Sequence, residues 1–101
     1  MEAVEITSFK LAGYTCQQFI EANKPIDIWL CKQSGFRSRR MWQQSDGYVF
    51  DMLIWDSRDQ GTTAMHNLLT EHRDSIIHEM IDQQTVTWTI DTVAHQVIYK
   101  S

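Results

Sequence analysis

The sequence has 101 residues, of which 43% are apolar, 22% charged and 11% aromatic, and its net charge is −4. This length fits one domain, residues 1–101, with one core, and the aromatic content excludes a disordered chain. The acidic balance argues against a nucleic-acid binder. The apolar runs are too short for a membrane span and no secretory signal opens the sequence, so we expect a cytoplasmic protein.

A strand and a helical region are predicted first. Residues 4–11 alternate with the period of a β-strand, and Thr15 can cap a helix. An apolar stripe at helical spacing runs over residues 16–31, and Gly35 is a typical C-terminal stop. Pro25 interrupts this stripe. It predicts either one kinked helix or two short helices, the second of which begins at the proline.

The two cysteines, Cys16 and Cys31, both lie on this apolar stripe. In a continuous helix they would be roughly 22 Å apart, which is too far for a disulfide. We therefore expect free thiols that are buried against the sheet. Trp29 lies nearly opposite the stripe, so it is either exposed or rotated inward by a kink.

Two strands joined by a hairpin follow, over residues 36–44 and from residue 48 onward, with Ser45-Asp46-Gly47 as the turn. A three-residue loop would place Asp51 diagonal to Arg39, and a two-residue turn would place it diagonal to Arg40. Diagonal neighbours on a sheet, about 7–8 Å apart, are within the reach of an arginine. Asp51 is therefore expected to pair with an arginine in either register.

The last predicted elements are a helix and a β-rich segment. Ser57 can cap a helix whose apolar stripe continues to Ile81, with an interruption near His72. Residues 83–100 are rich in β-formers and predict one long strand, or two strands broken near Asp91. The order β-α-β-β-α-β is that of a ferredoxin-like α+β domain, an antiparallel sheet with its helices on one face.

The third strand predicts how the chain assembles. It places Tyr48, Phe50 and Met52 on one side and Val49 and Leu53 on the other, so both of its faces are apolar. A strand of this kind is normally covered on both faces. The predicted helices can cover only one face of the sheet. A second copy of the sheet is the simplest cover for the other face, and we expect a homodimer.

Three short motifs carry a resemblance to a known family: Ser34-Gly35-Phe36 after the helix, Ser38-Arg39 in the second strand, and Trp55-Asp56-Ser57 at the end of the third. With the order of elements, they resemble the dimeric α+β barrel superfamily, which includes the antibiotic-biosynthesis monooxygenase-like proteins. The resemblance implies a dimeric α+β barrel. It also implies an activity from a range that includes cofactor-free oxygenases and haem-degrading enzymes.

The haem-degrading branch fits this sequence poorly. That branch uses an Asn in the first strand and a Trp with a His on the second helix. Here the first strand offers Thr7 and Phe9, and the second helix has no Trp. The helix carries His66, His72 and His78, but six-residue steps turn each about 240° from the last. They cannot converge on one metal ion, so we expect neither a metal nor a cofactor.

A small-molecule site is predicted around the Asp51–arginine pair. This pair is either structural or the polar floor of a cavity that binds a small aromatic, anionic or phenolic molecule. His72 is expected either as a hydrogen-bonded histidine at the core edge or as an acid–base group. The candidate catalytic residues are Asp51, His72 and His95, and the candidate ligand-binding residues are Arg39, Arg40, Trp55 and Trp88.

The sequence allows an enzyme without indicating one, and three functions fit it. The first is a monooxygenase-like oxidoreductase or isomerase, which requires a closed cavity beside Asp51 or His95. The second is a ligand-binding dimer without catalysis, whose cavity would contain no titratable group. The third is a dimer that binds another protein through an exposed Trp29, which requires no cavity. Neither a nucleic acid nor a membrane is expected as a partner.

Overall fold

The computed structural model describes residues 1–100. Its elements are β1 (Ala3–Leu11), α1 (Cys16–Ala22), α2 (Lys24–Leu30), β2 (Phe36–Gln43), β3 (Val49–Trp55), α3 (Arg58–Glu71), α4 (Ile77–Met80) and β4 (Ile81–Thr92). The four strands form an antiparallel sheet in the order β2-β3-β1-β4. The predicted ferredoxin-like α+β fold is thereby confirmed. Within the described residues, no helix is long and apolar enough to cross a membrane.

The first helical region consists of two short helices rather than one kinked helix. Thr15 caps α1 through a reciprocal pair of hydrogen bonds with Gln18. The region then restarts as α2, with Pro25 in its first turn, where the missing amide proton costs no helical hydrogen bond. Cys31 follows Asp27 by four residues and shares its exposed side of α2, whereas Ile26 and Leu30 on the other side are buried. Both cysteines are free, but Cys31 is exposed, so its predicted burial is wrong.

The β2–β3 hairpin has a three-residue loop. The Gln44 amide donates to the Tyr48 carbonyl at 2.8 Å, and Gly47 adopts a φ of +94°, which favours glycine. In this register Met41 lies opposite Asp51. Arg39 is consequently the residue diagonal to Asp51 on the same face. The loop thus selects one of the two arginine partners that the sequence allowed.

Close contact between α3 and the sheet depends on Gly61, which is buried. A Cβ atom at this position would lie 2.5 Å from Ile90 Cδ1 and 2.8 Å from Trp55 Cδ1. The helix ends at Glu71 and resumes as α4, in agreement with the predicted interruption near His72.

The last strand is shorter than predicted. In β4, Thr92 pairs with Ala3, the first residue of β1, and beyond this pair β1 offers no further strand partner. Residues 93–100 form no strand, so the prediction of one or two strands reaching residue 100 is wrong. The chain remains attached to β1 through the Val93 amide, which donates to the Glu2 carbonyl at 2.8 Å.

The two faces of the sheet differ in their cover. The helices bury the face that carries the side chains of Ala3, Glu5, Phe9, Val49, Leu53, Trp55 and Ile90. The opposite face, which we call the outer face, carries partly exposed apolar side chains: Val4, Ile6, Phe50, Met52 and Ile54. Trp42 stacks on Phe50 there, with 5.6 Å between ring centroids, and 42% of Trp42 is exposed. No element of the described chain packs over this outer face.

Candidate functional site

A cavity of about 360 Å³ lies between the helix-covered face of the sheet and all four helices. Most of its wall is apolar, with side chains from β1, β3 and β4 below and from the helices above. The polar and charged side chains of the wall are few: Glu5, Thr7, Asn23, Arg39, Asp51, His78 and Gln83. A mainly apolar cavity of this size with a few polar groups is typical of a small-molecule site.

Glu5 is the most deeply buried charged residue of the wall, with 3% of its surface exposed. Its two carboxyl oxygens accept hydrogen bonds from two indole N–H groups. Trp55 Nε1 donates to Oε1 at 2.8 Å, and Trp88 Nε1 donates to Oε2 at 2.7 Å. These bonds join β1 to the strand on each side of it. The sequence reading did not select Glu5.

The strand register explains why the three side chains meet. Leu53 and Ile90 lie directly opposite Glu5 on the two neighbouring strands. Trp55 and Trp88 stand two residues from these positions, so both are diagonal neighbours of Glu5 on the same face. A long aromatic side chain spans this distance, and the indole nitrogen then reaches the carboxyl group.

Burial of the carboxyl group raises the pKa of Glu5 above its ordinary value of 4.5. The hydrogen bonds from Trp88 and Trp55 act in the opposite direction, because they stabilise the charged form, but they do not cancel the effect of burial. Ionisation of Glu5 therefore destabilises the folded state, and this lowers the free energy of unfolding. This cost is absent below the ordinary pKa and grows as the pH rises through the raised value.

Arg39 is the second charged group of the cavity, and its side chain connects the sheet to the helices. It binds both oxygens of Asp51, at 2.9 and 2.7 Å, as the hairpin register predicted. It also binds Asp27 of α2 at 2.7 Å, and Asn23 between α1 and α2 at 2.9 Å. Burial opposes the charge of Arg39, but the bonds with Asp51 and Asp27 outweigh it and raise the pKa of the guanidinium.

Asn23 completes the layer of hydrogen-bonded polar side chains that Arg39, Asp51 and Asp27 form. It is 1% exposed, its amide nitrogen donates to the Phe19 carbonyl at 2.9 Å, and its amide oxygen accepts from Arg39. Among the residues described, no buried side-chain polar atom lacks a hydrogen-bond partner. Beyond this layer, a more open depression of about 410 Å³ reaches the surface past Ile20 and Cys31. Its polar side chains, Asn23, Asp27 and Arg39, are those already bonded to one another.

The structure brings some of the sequence-predicted residues together and leaves others apart. Arg39, Asp51 and Trp88 line the cavity, while Trp55 lies beneath it and holds Glu5. Arg40 lies on the outer face and donates to Ser38 at 3.3 Å.

The two candidate catalytic histidines lie outside the cavity wall. His72 packs edge-on against Trp29, with 5.3 Å between ring centroids. His95 lies beyond β4, beside Met1 and Glu2. His78 of α4 is the histidine that lines the cavity. Across residues 1–100, no group of three or more metal-binding side chains is placed to hold an ion.

Comparison with solved structures shows the fold clearly. SnoaB, a cofactor-independent oxygenase from Streptomyces nogalater, superposes with a TM-score of 0.75 at 13% identity, over 95% of this chain and 96% of that one. The monooxygenase ActVA-Orf6 of Streptomyces coelicolor, solved with nanaomycin D, superposes with a TM-score of 0.72 at 17% identity. The match covers 97% of this chain and 92% of that one. Rv0793 from Mycobacterium tuberculosis superposes with a TM-score of 0.73 at 12% identity, over 97% of this chain and 100% of that one.

These proteins share the ferredoxin-like α+β fold with this chain, so the fold that the sequence resemblance implied is confirmed. Identities of 12 to 17% establish the fold and not the activity. No protein-family model matches the sequence, and no curated protein matches it either.

The two carboxylates that bind Arg39 allow a matched test of the buried ion pair. Only 13% of the Asp51 side chain is exposed, compared with 53% for Asp27. We expect Asp51→Asn to lower the free energy of unfolding by about 2–4 kcal/mol, because it removes the buried partner of a buried cation. Asp27→Asn should cost less than about 1 kcal/mol, because water solvates that site. Urea denaturation measures both losses, and equal losses would contradict this account of the pair.

Proposed function

We propose that this chain forms a homodimer that binds a small aromatic molecule in the cavity and oxidises it with molecular oxygen, without a cofactor. The observation that carries the proposal is the cavity itself, an apolar space of about 360 Å³ with a buried carboxyl group in its wall. The same fold occurs in a cofactor-independent oxygenase and in a monooxygenase solved with nanaomycin D, and both likenesses support this choice.

The charges of the wall favour a neutral aromatic ligand with a hydrogen-bond donor over an anionic one. The guanidinium of Arg39 already binds two carboxylates and an amide oxygen, so little of its charge is left for a ligand. Glu5 adds a further acidic group. An anion in this cavity would face Glu5 and Asp51, whereas a hydroxyl group could donate a hydrogen bond to the Glu5 carboxylate.

The proposed reaction converts an activated methylene carbon of the ligand into a carbonyl group. One atom of O₂ enters the product and the other leaves as water, so that R₂CH₂ and O₂ give R₂C=O and H₂O. The carbon supplies the four electrons that reduce O₂. The protein contributes a mainly apolar cavity that holds the substrate against the buried carboxyl group of Glu5.

Binding without catalysis is the second candidate function, although the wall carries titratable groups that the sequence analysis did not expect for it: Glu5, Arg39, Asp51 and His78. The buried polar atoms of the wall already have partners within the protein, so the cavity could accept a ligand without altering it. Protein binding through Trp29 is less favoured, because this residue is only partly exposed and packs against His72.

The homodimer is proposed from the outer face of the sheet. Val4, Ile6, Phe50, Met52 and Ile54 form an apolar surface there, beside the exposed Trp42 stack. Burial of each large apolar side chain contributes about 1.5–3 kcal/mol. A second copy would bury the same surface on both chains around a two-fold axis.

The ligand is tested with 2-naphthol and 2-tetralone, two neutral bicyclic probes. We expect 2-naphthol to quench tryptophan fluorescence saturably, because Trp88 lines the cavity. Val86→Trp, which adds bulk to the cavity wall, should abolish quenching, and the exposed Gln17→Trp should retain it. With 2-tetralone, an oxygen electrode should record one O₂ consumed per carbonyl formed. Binding without oxygen uptake would favour the second candidate function, and no binding would contradict both.

The dimer is tested by light scattering at low micromolar concentration. We expect a mass of about twice 11.9 kDa. Phe50→Glu should give a folded monomer, because it places a charge in the proposed interface. Gln17→Glu, on the exposed surface of α1, is the control and should remain dimeric. A stable wild-type monomer would contradict the proposed dimer, because it would show that the outer face is stable in contact with water.

A further inference from the structure

We propose that Glu5 is the proton acceptor of this site, taking a proton from a carbon or hydroxyl group of the bound molecule. This inference rests on the proposed function and names a catalytic residue for it. Three features of the structure carry it: the place of Glu5 in the cavity wall, the fixed orientation of its carboxyl group, and the neutral character of its hydrogen-bond donors.

The carboxyl group is oriented by two directed hydrogen bonds. Trp55 and Trp88 bind one oxygen each, from the strands on the two sides of β1. Each carboxylate oxygen has a second lone pair beyond the one that accepts the indole proton. A proton acceptor needs a fixed position relative to its substrate, and these two side chains of the sheet provide it.

Glu5 is a better proton acceptor than Asp51, the carboxylate that the sequence reading favoured. Both oxygens of Asp51 are already engaged in a bidentate ion pair with the guanidinium of Arg39. The donors to Glu5 are neutral indoles, which stabilise its negative charge less than a cation does. Burial has a further effect, because it raises the pKa of Glu5 and makes the ionised group a stronger base.

The proposed step is a simple proton transfer. A C–H or O–H bond of the bound molecule breaks, its electron pair stays on the molecule as an enolate or phenolate, and the proton moves to a Glu5 oxygen. Total charge is conserved, because the negative charge passes from Glu5 to the ligand. Arg39 and Asp51 of the sheet and His78 of α4 are the other ionisable groups of the cavity wall.

The test follows 2-tetralone in D₂O under argon, where oxygen chemistry is absent. We expect the protein to accelerate exchange of the protons at C1 by about 100-fold over buffer, as measured by NMR, since this is the usual scale of general-base catalysis. Glu5→Gln should lose this acceleration but keep weaker, still measurable binding of 2-naphthol, because the amide oxygen of glutamine still accepts a hydrogen bond. Glu79→Gln, an exposed glutamate of α4, is the matched control and should exchange as fast as the wild type.

A second measurement covers the case in which Glu5→Gln does not fold. In the wild type, the exchange rate should rise with pH as Glu5 ionises, with a midpoint above 4.5. An exchange rate that shows no such midpoint would overturn the assignment of Glu5 as the proton acceptor. Exchange that persists in Glu5→Gln but disappears in His78→Gln would also overturn it and identify His78 as the base.

The outcomes separate the two proposals. If 2-naphthol binds but exchange is not accelerated, the Glu5 assignment fails and the ligand site stands. If neither probe affects the protein, the proposed function fails, and the Glu5 assignment fails with it.

Discussion

The carboxyl group of Glu5 and the two indole N–H groups that bind it link the three strands at the floor of the cavity. A carboxylate in such an apolar setting carries a desolvation cost, and two neutral hydrogen bonds recover only part of it. The raised pKa is the result of that imbalance. An apolar residue at this position would avoid the cost. This chain instead places an acid there between two fixed donors, and the proposed role of Glu5 rests on this arrangement.

The Arg39 network gives the cavity its second polar boundary and holds the helices to the sheet. A single guanidinium binds groups from β3, from α2 and from the junction between α1 and α2. Buried ion pairs add little net stability compared with apolar packing, but loss of one partner is costly. The network therefore fixes the position of the helices over the cavity more than it increases stability.

The sequence predicted the fold well because its signals were local. The hairpin turn, the Thr15 and Ser57 caps and the Pro25 break each depend on neighbouring residues, and the structure contains all of them. The pair of Asp51 with an arginine was also predictable, although only the loop length in the structure selects Arg39. The pairing between strands that lie far apart in the sequence was harder to predict. The end of β4 at Thr92 depends on where β1 begins, 89 residues earlier in the chain.

Glu5 was missed for a related physical reason. In the first strand, Val4 and Ile6 form the more apolar side, and alternation alone would assign them to the core. The structure places them on the outer face, and Glu5 and Thr7 face the cavity. What makes Glu5 notable is its pair of tryptophan donors, which lie 50 and 83 positions away in the sequence. The histidines attracted attention because of their chemistry, yet His72 packs against Trp29 and His95 lies beyond the sheet.

The titration of the Glu5 carboxyl carbon by ¹³C NMR tests most directly whether this group is buried and faces the ligand, with its signal assigned by comparison with Glu5→Gln. We predict a midpoint above 4.5, because burial outweighs the stabilising effect of the two indoles. Addition of 2-naphthol should shift this signal. A midpoint at or below 4.5 that does not respond to the probe would contradict the account, because it would describe a solvated surface carboxylate.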